Sequence, residues 1–148
     1  MGTIFGDLLD IAQTWDVSTP ENGLVLYSIS YLPTKENREK AFEFVSQNEG
    51  KITIENTICG AKLEEEMKNG GYDILDKNEI AQIWAAASKR MIAQAKGKVI
   101  AFVKDADERS VFCKVELPEI LKNENIVAIN NIDKFEFARN FKCFTNLV

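Results

Sequence analysis

Apolar residues return at helical spacing from the start of the chain. Ile4, Leu8, Leu9 and Ile11 predict a short helix from Ile4 to Thr14. Turn chemistry follows at Thr19-Pro20-Glu21-Asn22-Gly23, and Leu24 to Ser28 is a short apolar stretch of strand character. A second helix is predicted from Lys35 to Gln47, with Ala41, Phe42 and Val45 on its apolar side and Asn48-Glu49-Gly50 ending it. Lys51 to Ile54 is extended. Asn56 or Thr57 starts a third helix that carries Leu63 and Met67 and stops at Gly70-Gly71. Asp76-Lys77-Asn78-Glu79 has the form of a capping box. It opens the longest helix, to about Ala95, whose apolar stripe is Ile80, Ile83, Trp84, Ala87 and Met91.

Beyond Gly97 the period changes. Lys98 to Val103 is β-branched and aromatic and predicts a buried strand. A charged loop from Lys104 to Arg109 follows, then a second strand from Val111 to Val115, a helical turn from Pro118 to Leu121, and a third strand from Asn125 to Ile129. Phe135, Phe137 and Phe141 anchor a last element whose type the pattern leaves open. The expected architecture is α/β in one domain of 148 residues, mainly helical over 1–96 and a small sheet over 97–148. Parallel strands joined by helices bind ligands beyond their carboxyl ends, which places Asp105 to Ser110 at such an end.

Charge and composition remove several function classes. A net charge of −5 argues against non-specific nucleic-acid binding, which needs a basic surface. No run approaches the ~20 apolar residues of a membrane span, and no secretory signal is visible. The chain has no histidine, so Ser-His-Asp and Cys-His nucleophiles and histidine-bound zinc are excluded. Cys59, Cys113 and Cys143 are odd in number and widely spaced, and no Cys-x-x-Cys occurs. The expectation is three free thiols, no metal and a cytoplasmic protein.

Four separated patches carry the candidate chemistry: Leu26-Tyr27-Ser28, Thr53-Ile54-Glu55-Asn56-Thr57-Ile58-Cys59-Gly60, Trp84 with Ser88 four residues on, and Ser110-Val111-Phe112-Cys113-Lys114-Val115-Glu116. In this order they resemble the ADP-ribosyl cyclase / NAD glycohydrolase family. That family carries a Thr-Leu-Glu-Asp-Thr block, then Trp followed four residues on by Ser, then Ser-x-Phe-x-x-x-Glu. The resemblance runs from about Tyr27 to Asn131. It implies a helical lobe beside a small parallel β-sheet with the active site in the cleft between. It also implies an enzyme that cleaves the nicotinamide–ribose bond of NAD, with NAD as substrate and no separate cofactor.

The resemblance assigns roles residue by residue. Glu116 matches the catalytic glutamate, and Pro118 shortly after it suits a bent backbone at a strand end. Trp84 matches the tryptophan that stacks on the nicotinamide end. Ser88 is expected at phosphate or ribose, and Ser110 with the amides near Phe112 at the pyrophosphate. Glu55 matches the acid that binds the nicotinamide amide, and Glu64 is a further carboxylate candidate on what otherwise reads as a solvated helix face. Tyr27 stands where the family usually has a second tryptophan, followed by Ser28. Ile29 replaces an arginine used near the phosphates, for which Lys51, Lys104 or Arg109 is a candidate replacement.

The chemistry is consistent with a chain lacking histidine. Nicotinamide leaves as a neutral pyridine and needs no general acid, unlike an ordinary glycosidic oxygen. The cationic, oxocarbenium-like ribose needs help, and one carboxylate can supply it. A compact, disulfide-free member points to a microbial enzyme, either an NAD-depleting toxin delivered without a classical signal and paired with an inhibitory partner, or an intracellular signalling enzyme. Two other classes remain: nucleoside deoxyribosyltransferase-like base exchange, and a non-catalytic nucleotide-binding module.

Overall fold

The structure, a computed structural model, describes residues 3–28, 36–106 and 110–141. Ile29, Lys35, Arg109 and Cys143, on which parts of the sequence reading fall, lie outside these. Helix α1 (Ile4–Thr14) starts at Thr3, whose hydroxyl accepts from the Gly6 N–H at 3.0 Å, and buries Leu8 and Ala12. Strand β1 (Val25–Tyr27) and helix α2 (Glu36–Gln47) follow. A single tight turn, Ile54–Asn56, leads into α3 (Ile58–Glu66), capped by Thr57. A widened turn at Met67–Gly71 passes through Gly70 at φ +132°, a conformation that suits glycine, into the short α4 (Tyr72–Ile74). The long helix α5 (Lys77–Gln94) buries Ile83, Ala87 and Met91 of the expected stripe.

The capping box is present: Asp76 Oδ1 accepts from the Glu79 N–H at 2.8 Å, and Glu79 Oε1 from the Asp76 N–H at 3.1 Å. Asp76→Ala is therefore expected to cost about 1 kcal/mol in urea unfolding, with Asp76→Asn close to the parent. At its other end α5 is tied to α1. The Arg90 guanidinium donates to the carbonyls of Ala12 (2.7 Å) and Trp15 (3.0 Å), a cation at the carbonyl end of a helix.

Strand β2 (Gly97–Phe102) pairs in parallel with β1, Leu26 opposite Ala101, and with β3 (Ile126–Ile129), Val99 opposite Ile129. The two-residue β4 (Ile132–Asp133) closes the sheet antiparallel to β3, in the order β1-β2-β3-β4. The fold is thus mixed α/β, with helices beside a small, mostly parallel sheet that takes its first strand from the helix-rich half. Asp133 accepts from the Phe135 and Glu136 N–H groups and starts α7 (Lys134–Asn140), which settles the last element as a helix.

Two expectations are corrected. Val111 to Val115 is not a strand. Ser110 caps a helical start there, its Oγ accepting from the Cys113 N–H at 3.2 Å and its carbonyl from the Lys114 N–H at 3.0 Å. The chain winds through a widened turn, Phe112–Glu116, into α6 (Leu117–Lys122). Pro118 explains the widening rather than a strand end. It lacks an N–H and its ring excludes the carbonyl four residues back. The ladder opens to a five-residue step, Leu117 N–H to Phe112 O, and the helix continues. The thiol expectation also fails: Cys113 is disulfide-bonded. Cys59 is a free, buried thiol. Sequence spacing does not report distance in space, so the cysteine argument for a reducing compartment lapses. No helix of the described residues is long and apolar enough to cross a membrane.

Candidate active site

A cavity of about 590 Å³ opens at the carboxyl ends of β1 and β2, between the sheet and helices α2, α3 and α5. Strand β1 delivers Tyr27 and Ser28 to it. The chain after β2 delivers Ser110 and Phe112, and the widened turn delivers Glu116. The turn before α3 brings Glu55, α3 brings Glu64, and α5 brings Trp84 and Ser88. All nine residues singled out from the sequence therefore line one cavity.

Their surroundings differ. Glu116 is 6% exposed, and its carboxyl is pushed up to about 8 by burial and by the Glu55 charge, while a hydrogen bond from the Ser88 hydroxyl pulls the other way. Ser88 thus addresses Glu116 directly. Ser110 is buried with its hydroxyl engaged as a cap. Phe112 is almost wholly buried and meets Phe141 edge-on at 5.5 Å, so it is a core residue that shows one edge to the cavity. Glu64 is partly exposed and pairs loosely with Lys68 at 3.7 Å.

Glu55 is held by its backbone and by Tyr27. Thr53 and Asn56 fix the turn, the Thr53 N–H reaching Asn56 Oδ1 at 2.9 Å. The Tyr27 hydroxyl donates to Glu55 Oε2. Glu55 Oε1 and Ser28 Oγ are buried with no partner among the described residues. Burial raises the Glu55 carboxyl, the Tyr27 hydrogen bond opposes this, and the Glu64 charge adds to it. Burial, then the Glu55 charge, drive the Tyr27 phenol far above its usual range.

Sequence reasoning missed two residues. Arg38, on α2, lines the cavity, with its guanidinium 4.7 Å from the centre of the Phe42 ring and directed at Tyr27, Glu55 and Glu64. The signal was available: Arg38 stands one helical turn before Phe42, an apolar-face residue, and shares its side of α2. Lys51 and Lys104, offered as replacements for the missing arginine, are not part of the cavity lining. Lys51 instead donates to the Asn22 carbonyl. Tyr72, half-exposed on α4, is the other missed lining residue with a polar or aromatic side chain. It follows the Gly70-Gly71 break and carries no periodic signal. Lys89 faces Glu119 at 3.9 Å, so neither it nor Arg90 adds charge to the lining.

Three carboxyl groups and one guanidinium thus line a cavity walled by Tyr27, Tyr72 and Trp84. That arrangement favours a ligand bearing a flat cationic group, through both charge and ring quadrupole. Among the described residues no group of three or more histidine, cysteine or acidic side chains is placed to hold a metal ion.

The fold has solved counterparts. It is similar to Aplysia cyclase, determined with its substrate NGD and product cGDPR, at a TM-score of 0.56 and 18% identity over 86% of this chain and 64% of that one. It is also similar to porcine CD38, determined with a covalent intermediate, ribo-F-ribose-5'-phosphate, at a TM-score of 0.53 and 15% identity over 95% of this chain and 82% of that one. The chain therefore spans just under two thirds of the Aplysia protein's length. No family model matches the sequence, and no curated protein does.

Proposed function

We propose that this chain cleaves the nicotinamide–ribose bond of NAD, releasing ADP-ribose, cyclic ADP-ribose or both. The observation that carries the reading is the meeting of Glu116, Glu55 and Trp84 in one cavity from three distant parts of the sequence. Trp84 offers its indole face to the pyridinium ring, and Glu55 reads the substituent on that ring. Glu116 stands against the ribose. As the C–N bond breaks, the electron pair leaves with neutral nicotinamide and positive charge collects on the sugar. Glu116 stabilises that charge electrostatically or captures the sugar covalently. Water, or the substrate's own adenine, then completes the reaction. In the unliganded site Glu116 favours its neutral form. An entering pyridinium rewards the anion, so Glu116 gives up its proton to solvent as the substrate's charge arrives. An enzyme that depletes NAD in this way would need an inhibitory partner in the cell that makes it.

The test is incubation of purified protein with NAD and separation of the products by chromatography. Nicotinamide should appear with ADP-ribose or its cyclic form. Unchanged NAD at micromolar protein would end this reading. Trp84→Ala is expected to raise KM by about 10–30-fold, the loss of a desolvated cation–π contact worth up to about 2 kcal/mol, as read from initial rates against NAD concentration.

A further inference from the structure

We propose that Tyr27 and Arg38 are positioning residues that turn Glu55 into a reader of N–H donors on the base. The inference rests on the reading above, in which Glu55 faces the nicotinamide substituent. Its basis is a relay of three side chains. Tyr27 is fixed by its strand register opposite Phe102 and by Phe42, which meets its ring edge-on at 5.6 Å. Arg38 is held over the same Phe42 ring, and its guanidinium acts on the Tyr27 hydroxyl as hydrogen-bond donor and as charge.

A phenol has one proton. With the Arg38 cation acting on its oxygen, that proton is directed to Glu55 Oε2, where the structure places it. Glu55 is thereby kept an acceptor, with Oε2 occupied. Its Oε1, buried and without a partner among the described residues, is the atom left to meet the ligand. A primary carboxamide brings an N–H to it. An acetyl group or a carboxylate brings only acceptors and leaves two oxygens facing each other in a dry site, a mismatch that such sites reject strongly. Without the Tyr27 donor the buried Glu55 has every reason to take up a proton. A protonated carboxyl donates as well as accepts, so the selection for a donor vanishes.

Binding of the free bases tests this without relying on turnover. Trp84 lines the same cavity, so its fluorescence reports occupancy. Nicotinamide and 3-acetylpyridine are titrated into the parent, Tyr27→Phe, Arg38→Met and Arg38→Lys. The parent should bind nicotinamide about tenfold or more tighter than 3-acetylpyridine. Tyr27→Phe should bring the two within about threefold, Arg38→Met should fall between, and Arg38→Lys should restore the preference. A merely structural role would weaken both bases equally and leave the ratio unchanged. No preference in the parent, or a parental ratio in both Tyr27→Phe and Arg38→Met, overturns the proposal. If Tyr27→Phe fails to fold, the two Arg38 variants decide. NAD turnover is scored separately. A ratio that collapses as stated in a protein that leaves NAD intact sinks the reaction and keeps the relay. Turnover with an unmoved ratio does the reverse.

Discussion

Glu116→Gln is expected to lower NAD turnover by about 10²–10³ while making the protein more stable. Both effects have one cause. The carboxyl is buried, and its burial together with the Glu55 charge moves it from an ordinary 4.5 to about 8. Between these two values the unfolded chain has released the proton and the folded chain has kept it. The folded state therefore binds more protons, and stability falls as pH rises through that window. Below 4.5 the penalty is absent, and above 8 it is complete, on the order of 5 kcal/mol. Glutamine keeps the shape and a partner for Ser88 and has no proton to lose. Its stability gain should be near zero at pH 4.5 and should grow to several degrees of Tm at pH 8.5. Activity should follow the opposite demand. In the parent, kcat/KM should climb about tenfold per pH unit below about 8 and then level, because the proposed role of Glu116 requires its anion in the free protein. A variant that keeps parental turnover would remove Glu116 from the reaction. A Tm gain independent of pH would mean that its charge is not what the fold resists.

The motif Ser110 to Glu116 shows why a site can be legible where its secondary structure is not. Phe112 and Glu116 stand four residues apart, an interval that keeps two side chains on one side of either a strand or a helix. Reading Val111 to Val115 as a strand was wrong, yet it left both residues facing the same cavity. The β-branched residues suggested a strand, but Ser110 as a cap and the continuation through Pro118 decided for a helix. Features whose signals are local survived: the Asp76–Glu79 box, Thr57 as a cap, and the stripe of α5. What failed or was missed depends on separated segments meeting in space. Arg38 joins the cavity because α2 lies across the end of β1, and the Cys113 disulfide depends on proximity that sequence spacing does not encode. Of the three candidates for the missing arginine after Ser28, Lys51 and Lys104 stay off the cavity lining and Arg109 lies outside the described residues, while α2 brings the Arg38 guanidinium into the lining.

Gly60→Ala should be among the most damaging small changes in the chain, against what helix propensity alone would forecast. Gly60 sits in the first turns of α3, where alanine is favoured by about 1 kcal/mol. Space decides otherwise. A Cβ there would lie 1.8 Å from the Ile54 carbonyl oxygen and 2.6 Å from its carbon, with Glu55 Cα at 3.1 Å. These are backbone atoms, so no side chain can swing aside. The same turn is pinned by Thr57, whose hydroxyl donates to the Ile54 carbonyl at 2.6 Å and accepts from the Gly60 N–H at 2.9 Å. Relief requires the Ile54–Asn56 turn to move off α3, and Glu55 moves with it. The expected cost is about 3 kcal/mol or more in chemical unfolding. At a temperature where the variant is still folded, turnover should fall by about 10²-fold, because a shift near 1 Å in a positioned group costs that much. Gly6→Ala is the control. It is also a helical glycine, but its Cβ would meet only the Thr3 hydroxyl at 3.2 Å, a side-chain atom that has to give by a few tenths of an ångström, so the change should stay within about 1 kcal/mol of the parent. If Gly60→Ala unfolds at the parental denaturant midpoint, the close approach of α3 to the Glu55 turn is not what holds that carboxylate in the cavity.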